Sequence, residues 1–249
     1  MCKSKRFLML AAMVLAAACV ATFMVGSAVA ADTAAGISVK IGDAEAETVD
    51  SFAAAMEKVK AADADAAKVI TLGEGTVSAA DVNTFRIETP NLTIAGAGVD
   101  KTVINTGDFA ISGQAGVLIA ADNVTVRDLA VVSNNPGASG AAIKVTKIGT
   151  AEELPAVKNV TIANVSVKTI EAGFGLNLHG VEGATVTNVT VESSKKASVS
   201  IASASDVEID QLTTGTNDWN CDIYFPYNAA NVAAYGKASE VTFGELTLA

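Results

Sequence analysis

NVTIANVSV, residues 159–167, alternates apolar and polar positions over nine residues and is rewritten on both sides, as NVTVRDLAV at 123–131 and GATVTNVTV at 183–191. Alternation of β-branched apolar residues with Thr, Ser and Asn marks a strand with one face in a core, not a helical turn. Aligned on these openings, the chain holds six copies: NLTI at 91–94, NVTV at 123–126, NVTI at 159–162, GATV at 183–186, DVEI at 206–209 and EVTF at 240–243. Their starts lie 32, 36, 24, 23 and 34 residues apart, which reads as one structural coil near 23 residues with occasional loop insertions. In five of the six a second alternating trio follows: LAV at 129–131, VSV at 165–167, VTV at 189–191, LTT at 212–214 and LTL at 246–248.

The polar pair between the two trios, Ala163-Asn164 in the opening stretch, lacks the Gly of a tight hairpin, and the same offset recurs. The economical geometry is a corner: the chain bends, keeps its rotational sense, and stacks the next coil on top with parallel pairing. Five residues after each copy begins stand Gly96, Asp128, Asn164, Asn188, Gln211 and Glu245. Gly, Asn and Asp tolerate the left-handed backbone of a sharp corner, and stacked amides can hydrogen-bond along the stack. Gln211 and Glu245 fit that column less well, so the last coils are expected to corner differently. Upstream of the copies lies a third strand per coil: VLI at 117–119, IKV at 143–145, LNL at 176–178, VSI at 199–201 and IYF at 223–225.

Three strands per coil make a solenoid of triangular section, and this arrangement resembles the right-handed single-stranded parallel β-helix of the pectin-lyase-like superfamily. The resemblance covers about residues 49–249 and implies an all-β solenoid with an N-terminal capping helix at about 50–62. In ETVDSFAAAMEKVKAADADAAKVITLGEGTV, Ser51 is the expected N-cap of that helix, and Phe52, Ala55, Met56 and Val59 are its apolar stripe. No matching polar cap follows EVTFGELTLA, which reads as an end that continues in a further C-terminal domain or pairs end to end with another copy.

Residues 1–30 read as a secretory signal peptide: Lys3, Lys5 and Arg6, an apolar run from Phe7 to Gly26, then Ala28-Val29-Ala30 for cleavage. The run exceeds the usual 7–15 residues of a signal core, which keeps an uncleaved anchor as the alternative. Residues 31–48 read as an N-terminal linker. Cleavage moves the net charge from −10 to −13, which disfavours nucleic acid and anionic membrane surfaces as partners. Of three cysteines, only Cys221 lies outside the signal, so no internal disulfide is available. The expected location is secreted or cell surface.

Active members of the superfamily place catalytic groups on outward positions of one sheet, and the resemblance points to the upstream strands here. Leu118, Lys144, Asn177, Ser200 and Tyr224 form their outward column if the flanking residues face inward. The R-x-P-x-x-R stretch of pectate lyases is absent, as is a stacked carboxylate cluster for calcium. Lys144 is a weak candidate as base or as enolate-stabilising cation. The hydrolase branch expects paired aspartates and Gly-His-Gly; the chain offers Leu178-His179-Gly180 and, at Asn105-Thr106-Gly107-Asp108, an incomplete counterpart. His179, the only histidine, is a second weak candidate and Asp222 a third.

The stretch NDWNCDIYFPYN, 217–228, gathers the only Trp and two of three Tyr beside Asp and Asn. Flat aromatic faces beside polar partners suit sugar rings, so Asn177, His179, Trp219, Asp222, Tyr224 and Tyr227 are the expected ligand-binding residues. Asp218, Asn220 and Asp222 could touch a calcium ion, but no D-x-D-x-D-G loop is present, so no cofactor is expected. Asn-x-Ser/Thr triplets at Asn91, Asn123, Asn159, Asn164 and Asn188 fall on repeat positions where Asn serves corners. The leading expectation is a secreted or surface β-helix acting by carbohydrate binding or display, with a polysaccharide or cell-envelope glycan as partner. A lyase or hydrolase on acidic polysaccharide and a self-associating structural scaffold are the alternatives.

Overall fold

The structure, a computed structural model, describes residues 36–81, 83–107, 115–134, 140–148, 155–170, 173–226 and 239–249. The expected signal segment, Asp108, Tyr227 and most of the 226–239 insertion lie outside these residues.

The coil is a parallel β-helix with three sheets. In the first, Lys68–Thr71, Leu92–Ala95 and the openings of Val124–Ser133, Val157–Thr169 and their successors stack in parallel up to Val241–Phe243. Ile70, Ile94, Val126, Ile162, Val186, Ile209 and Phe243 make one register column. The second sheet stacks Leu129, Val165, Val189, Leu212 and Leu246. The third stacks Ile87, Ile119, Val145, Leu178 and Ile201. These columns face one another as a single core, in which nearly every Val, Ile and Leu between residues 92 and 212 is fully buried. Each such side chain contributes roughly 1.5–3 kcal/mol relative to exposure. The right-handed sense is the one that parallel crossover connections adopt.

Left-handed backbone recurs at two corners along the stack, and Gly180 (φ 64°) and Ser203 (φ 50°) add a third position in two coils. Asn91, Asn123, Asn159 and Asp206 open their copies at φ between 53° and 58°, with Gly183 at 73° in the same position. Asp128, Asn164, Asn188 and Gln211 take φ between 49° and 59° at the second corner. Gln211 therefore corners like its neighbours despite its longer side chain, contrary to expectation, while Glu245 is not among the left-handed residues. Gly96 also departs from expectation. Its φ is not left-handed; a Cβ there would meet the Asp128 carbonyl oxygen at 2.2 Å, so the glycine serves close approach between coils.

The corner amides join in two directed ladders. Asn91 Nδ2 donates to the Ala64 carbonyl (2.9 Å), Asn123 to Asn91 Oδ1 (2.9 Å), and Asn159 to Asn123 Oδ1 (2.9 Å). At the second corner Asn164 donates to Asp128 Oδ1 (2.7 Å) and Asn188 to Asn164 Oδ1 (3.0 Å). All five Asn-x-Ser/Thr asparagines thus stand at left-handed corners within these ladders.

At the N-terminal end, helix Phe52–Ala61 covers the core with Phe52, Ala55, Met56 and Val59, and Ser51 Oγ accepts from Ala54 N at 3.2 Å. Lys58 and Lys60 in its last turn complement the helix dipole. Residues Ile37–Ile41, expected as linker, form a strand antiparallel to Lys68–Thr71 and to Glu47–Val49, because Ile37 and Val39 have core to bury into. Lys68 enters an inward position of the first coil, fully buried, and donates to the carbonyls of Ala66 (2.7 Å), Ala64 (3.0 Å) and Pro90 (3.2 Å). Three acceptors satisfy the ammonium where a further aliphatic side chain would leave the connecting loop untied.

Asn164→Ala places a Cβ-constrained residue at positive φ, at a cost of about 1–2 kcal/mol, and breaks the ladder on both sides. The expected loss is about 2 kcal/mol in urea unfolding. Asn164→Gly keeps the backbone conformation and is expected to lose about half as much. Equal losses in the two variants would show that backbone strain has no part in the corner.

Candidate functional site

Parallel stacking brings residues from successive coils into one line on the third sheet. The register runs Arg86, Leu118, Lys144, Asn177, Ser200, Tyr224. The line expected as an open outward face is largely covered: Leu118 and Ser200 are 2% exposed and Asn177 9%. Alternation does direct these side chains away from the main core, yet Leu118, Asn177 and Ser200 are buried from solvent. Only at Tyr224, 37% exposed, does the line reach the surface as an aromatic.

Lys144 is half-buried in this line, and burial pushes its ammonium below the ordinary lysine range. Asp222 lies in the coil of Tyr224, three coils from Lys144, about 14 Å at the spacing of parallel strands. His179 pairs with Ala202, two residues further along the strand than Asn177. Asp222 is therefore not brought together with Lys144, and among the described residues no group of three or more His, Cys, Asp or Glu is placed to hold a metal ion.

The structure does assemble the aromatics. Trp219 sits edge-on to Phe174 (5.6 Å between centroids) and to Tyr224 (5.5 Å), while Phe174 and Tyr224 lie parallel at 6.3 Å. Lys196 Nζ lies 5.0 Å from the Phe174 centroid and 5.2 Å from that of Trp219, a cation on two π faces. Phe174 is the buried floor; Trp219 is 46% exposed.

The local chain explains the arrangement. Asn217 ends the long strand Val199–Asn217, and a tight turn carries Trp219 back over the sheet, with Asn220 N donating to the Asn217 carbonyl (3.3 Å) and Asn220 at φ 50°. Asn217 is the hub: its Oδ1 accepts from Cys221 N (2.7 Å), and its Nδ2 donates to Asp222 Oδ1 (3.2 Å) and Ser198 Oγ (3.5 Å). Asp218 pairs with Lys195 at 3.5 Å. Cys221 is half-buried against Ala141, Phe174 and Ala197.

Of the expected ligand-binding residues, Trp219, Asp222 and Tyr224 come together on one turn and strand. Asn177 lies two coils back, buried, and His179 lies off the cluster. Phe174, Lys196 and Asn217 were not singled out as binding residues. The register makes Phe174 findable: Ala115, Ala141 and Phe174 share a column that begins the third sheet, two residues before the trios used in the alignment.

The depressed ammonium of Lys144 has a stability consequence. Between its folded value and the ordinary 10.5, the unfolded chain binds more protons there than the folded one, so this contribution to stability rises with pH. Relative to Lys144→Met, wild type is expected to gain stability as pH climbs through that window. Parallel pH profiles of the two proteins would show that burial does not perturb the group.

No protein-family model and no curated protein matches the chain. Among solved structures it is similar to the A-module of the mannuronan C-5 epimerase AlgE6 of Azotobacter vinelandii, with 21% identity and a TM-score of 0.43. That match covers 67% of this chain and 51% of the other, so the chain spans about half the length of the module. It is also similar to the pectin methylesterase of carrot, with 11% identity, 78% of each chain covered and a TM-score of 0.31. The architecture itself rests on the strand register: the chain is a parallel β-helix with three stacked sheets.

Proposed function

We propose that this protein is a secreted or surface-displayed β-helix that binds carbohydrate through the turn carrying Trp219, without catalysing its cleavage. The observation that carries this reading is the half-exposed Trp219–Tyr224 pair standing on a buried Phe174, with amide and carboxylate groups on the same turn. Stacking needs an apolar ring face held rigidly, and the hydroxyls of a sugar need nearby donors and acceptors. The three coils between Lys144 and Asp222 support binding over a reaction that needs these two groups together.

Trp219→Ala is expected to weaken glycan binding by roughly 1–3 kcal/mol, the cost of removing an aromatic anchor. Because the ring is half exposed, the fold should lose only about 1–2 kcal/mol, less than the 3–5 of a buried large aromatic. Titration by tryptophan fluorescence in wild type, calorimetric titration of the variant, and thermal melts of both decide it. A large loss of stability with no ligand response in wild type would overturn the reading, as would release of unsaturated or reducing ends from a polysaccharide panel at catalytic rates.

A second reading, self-association, is favoured by a separate observation. Phe225 and Phe243 meet edge-on at 6.4 Å in the last described coil, and both are exposed, as is Leu248. Under this reading the molecular mass by light scattering rises with concentration and falls to that of one chain in Phe225→Ser/Phe243→Ser. A concentration-independent monomer removes it.

A further inference from the structure

The turn that carries Trp219 also walls a recess of about 250 Å³, lined by Gly215, Thr216, Asn217, Asn220, Asp222 and Ala249. This is room for a single sugar ring and small for a drug-sized ligand. Its chemistry is one-sided. Asp222 is held in place by the Asn217 amide at 3.2 Å through Oδ1, which leaves Oδ2 as an acceptor. Among the described residues no lysine or arginine lines the recess. Of the described lysines beside this turn, Lys195 pairs with Asp218 at 3.5 Å and Lys196 lies against the Phe174 and Trp219 faces.

We infer that this recess is a subsite for one neutral pyranose ring, and that Asp222 makes the protein discriminate against carboxylated sugars. The inference rests on the carbohydrate-binding reading of the Trp219 turn and gives it a ligand class. A neutral ring brings hydroxyl donors to a fixed carboxylate, and a charge-assisted hydrogen bond of this kind is stronger than a neutral one. A uronate ring brings a second carboxylate to a recess whose described lining holds a carboxylate and no cation, and like charges this close disfavour binding. The net charge of −10 adds repulsion of any polyanion at longer range.

The test uses the full mature chain, titrated by Trp219 fluorescence with neutral xylo-, gluco- and manno-oligosaccharides and with oligogalacturonate, at low and high salt. At least one neutral series is expected to bind tenfold or more tightly than oligogalacturonate. Salt is expected to strengthen the acidic ligand's binding, because it screens repulsion. Asp222→Asn keeps the side-chain shape and is expected to narrow the discrimination about tenfold, with the melting temperature showing that the fold persists. Tighter binding of oligogalacturonate, weakened by salt, would overturn this inference and leave the Trp219 platform standing. A discrimination unchanged in Asp222→Asn would also overturn it. Absence of binding by every oligosaccharide would overturn both readings.

Discussion

The structure depends on the left-handed corner. A strand has a side-chain period of two, so a coil that gained or lost one residue between corners would turn its core residues to solvent. The corner asparagines prevent this in two ways. Their backbone accepts positive φ where most residues do not, which fixes the place of the bend. Above Asn91, whose amide holds the Ala64 carbonyl, their side chains bond an amide or carboxylate at the same corner of the neighbouring coil, so a shifted coil forfeits the ladder. Asn91, Asn123 and Asn164 each donate in one direction and accept in the other, an arrangement in which successive bonds polarise one another.

The coil, its three strands and one corner column were legible because each follows from a repeating local rule. The register of the third sheet, from Leu118 to Tyr224, matches what the trios imply. What escaped was non-repeating. Lys68 interrupts an apolar column and reads as surface, yet three carbonyls that only the folded loop assembles make it a buried residue. The copy at 91–94 lacked a second trio at the usual offset, because its corner is widened and the strand resumes at Thr102–Asn105. Gly96 was read as a corner by residue type, while its reason is a carbonyl on the next coil.

The site was legible in part, for the opposite reason. The rarity of aromatics drew attention to Trp219 and Tyr224, and composition alone sufficed for that. Alternation indicated which side chains leave the core, but not what packs over them, so Asn177 and Ser200 were assigned to an open face they do not form. Phe174 and Lys196 lie 45 and 23 residues before Trp219 in the chain and meet it only through stacking. Contacts of that kind are written in the column arithmetic of the coil and nowhere in a local motif.

The position of the aromatics follows from the solenoid itself. Inside the helix every column repeats at the spacing of paired strands, so an inward ring would need room from the residues directly above and below. The main core accordingly contains Val, Ile, Leu and Ala throughout its middle, and its only buried aromatics are Phe52 and Phe85, 5.1 Å apart beneath the helix at one end. The others described lie at the far end, on or beside the last coils: Phe174, Trp219, Tyr224, Phe225 and Phe243. At one end a helix covers the rings and they complete the core. At the other, Trp219, Tyr224, Phe225 and Phe243 stay exposed among the described residues, and exposed rings on a rigid stack are available to a ligand. The same regularity that keeps large side chains out of the middle of the core leaves the exposed rings among the described residues on the outside of the stack or in its last described coil.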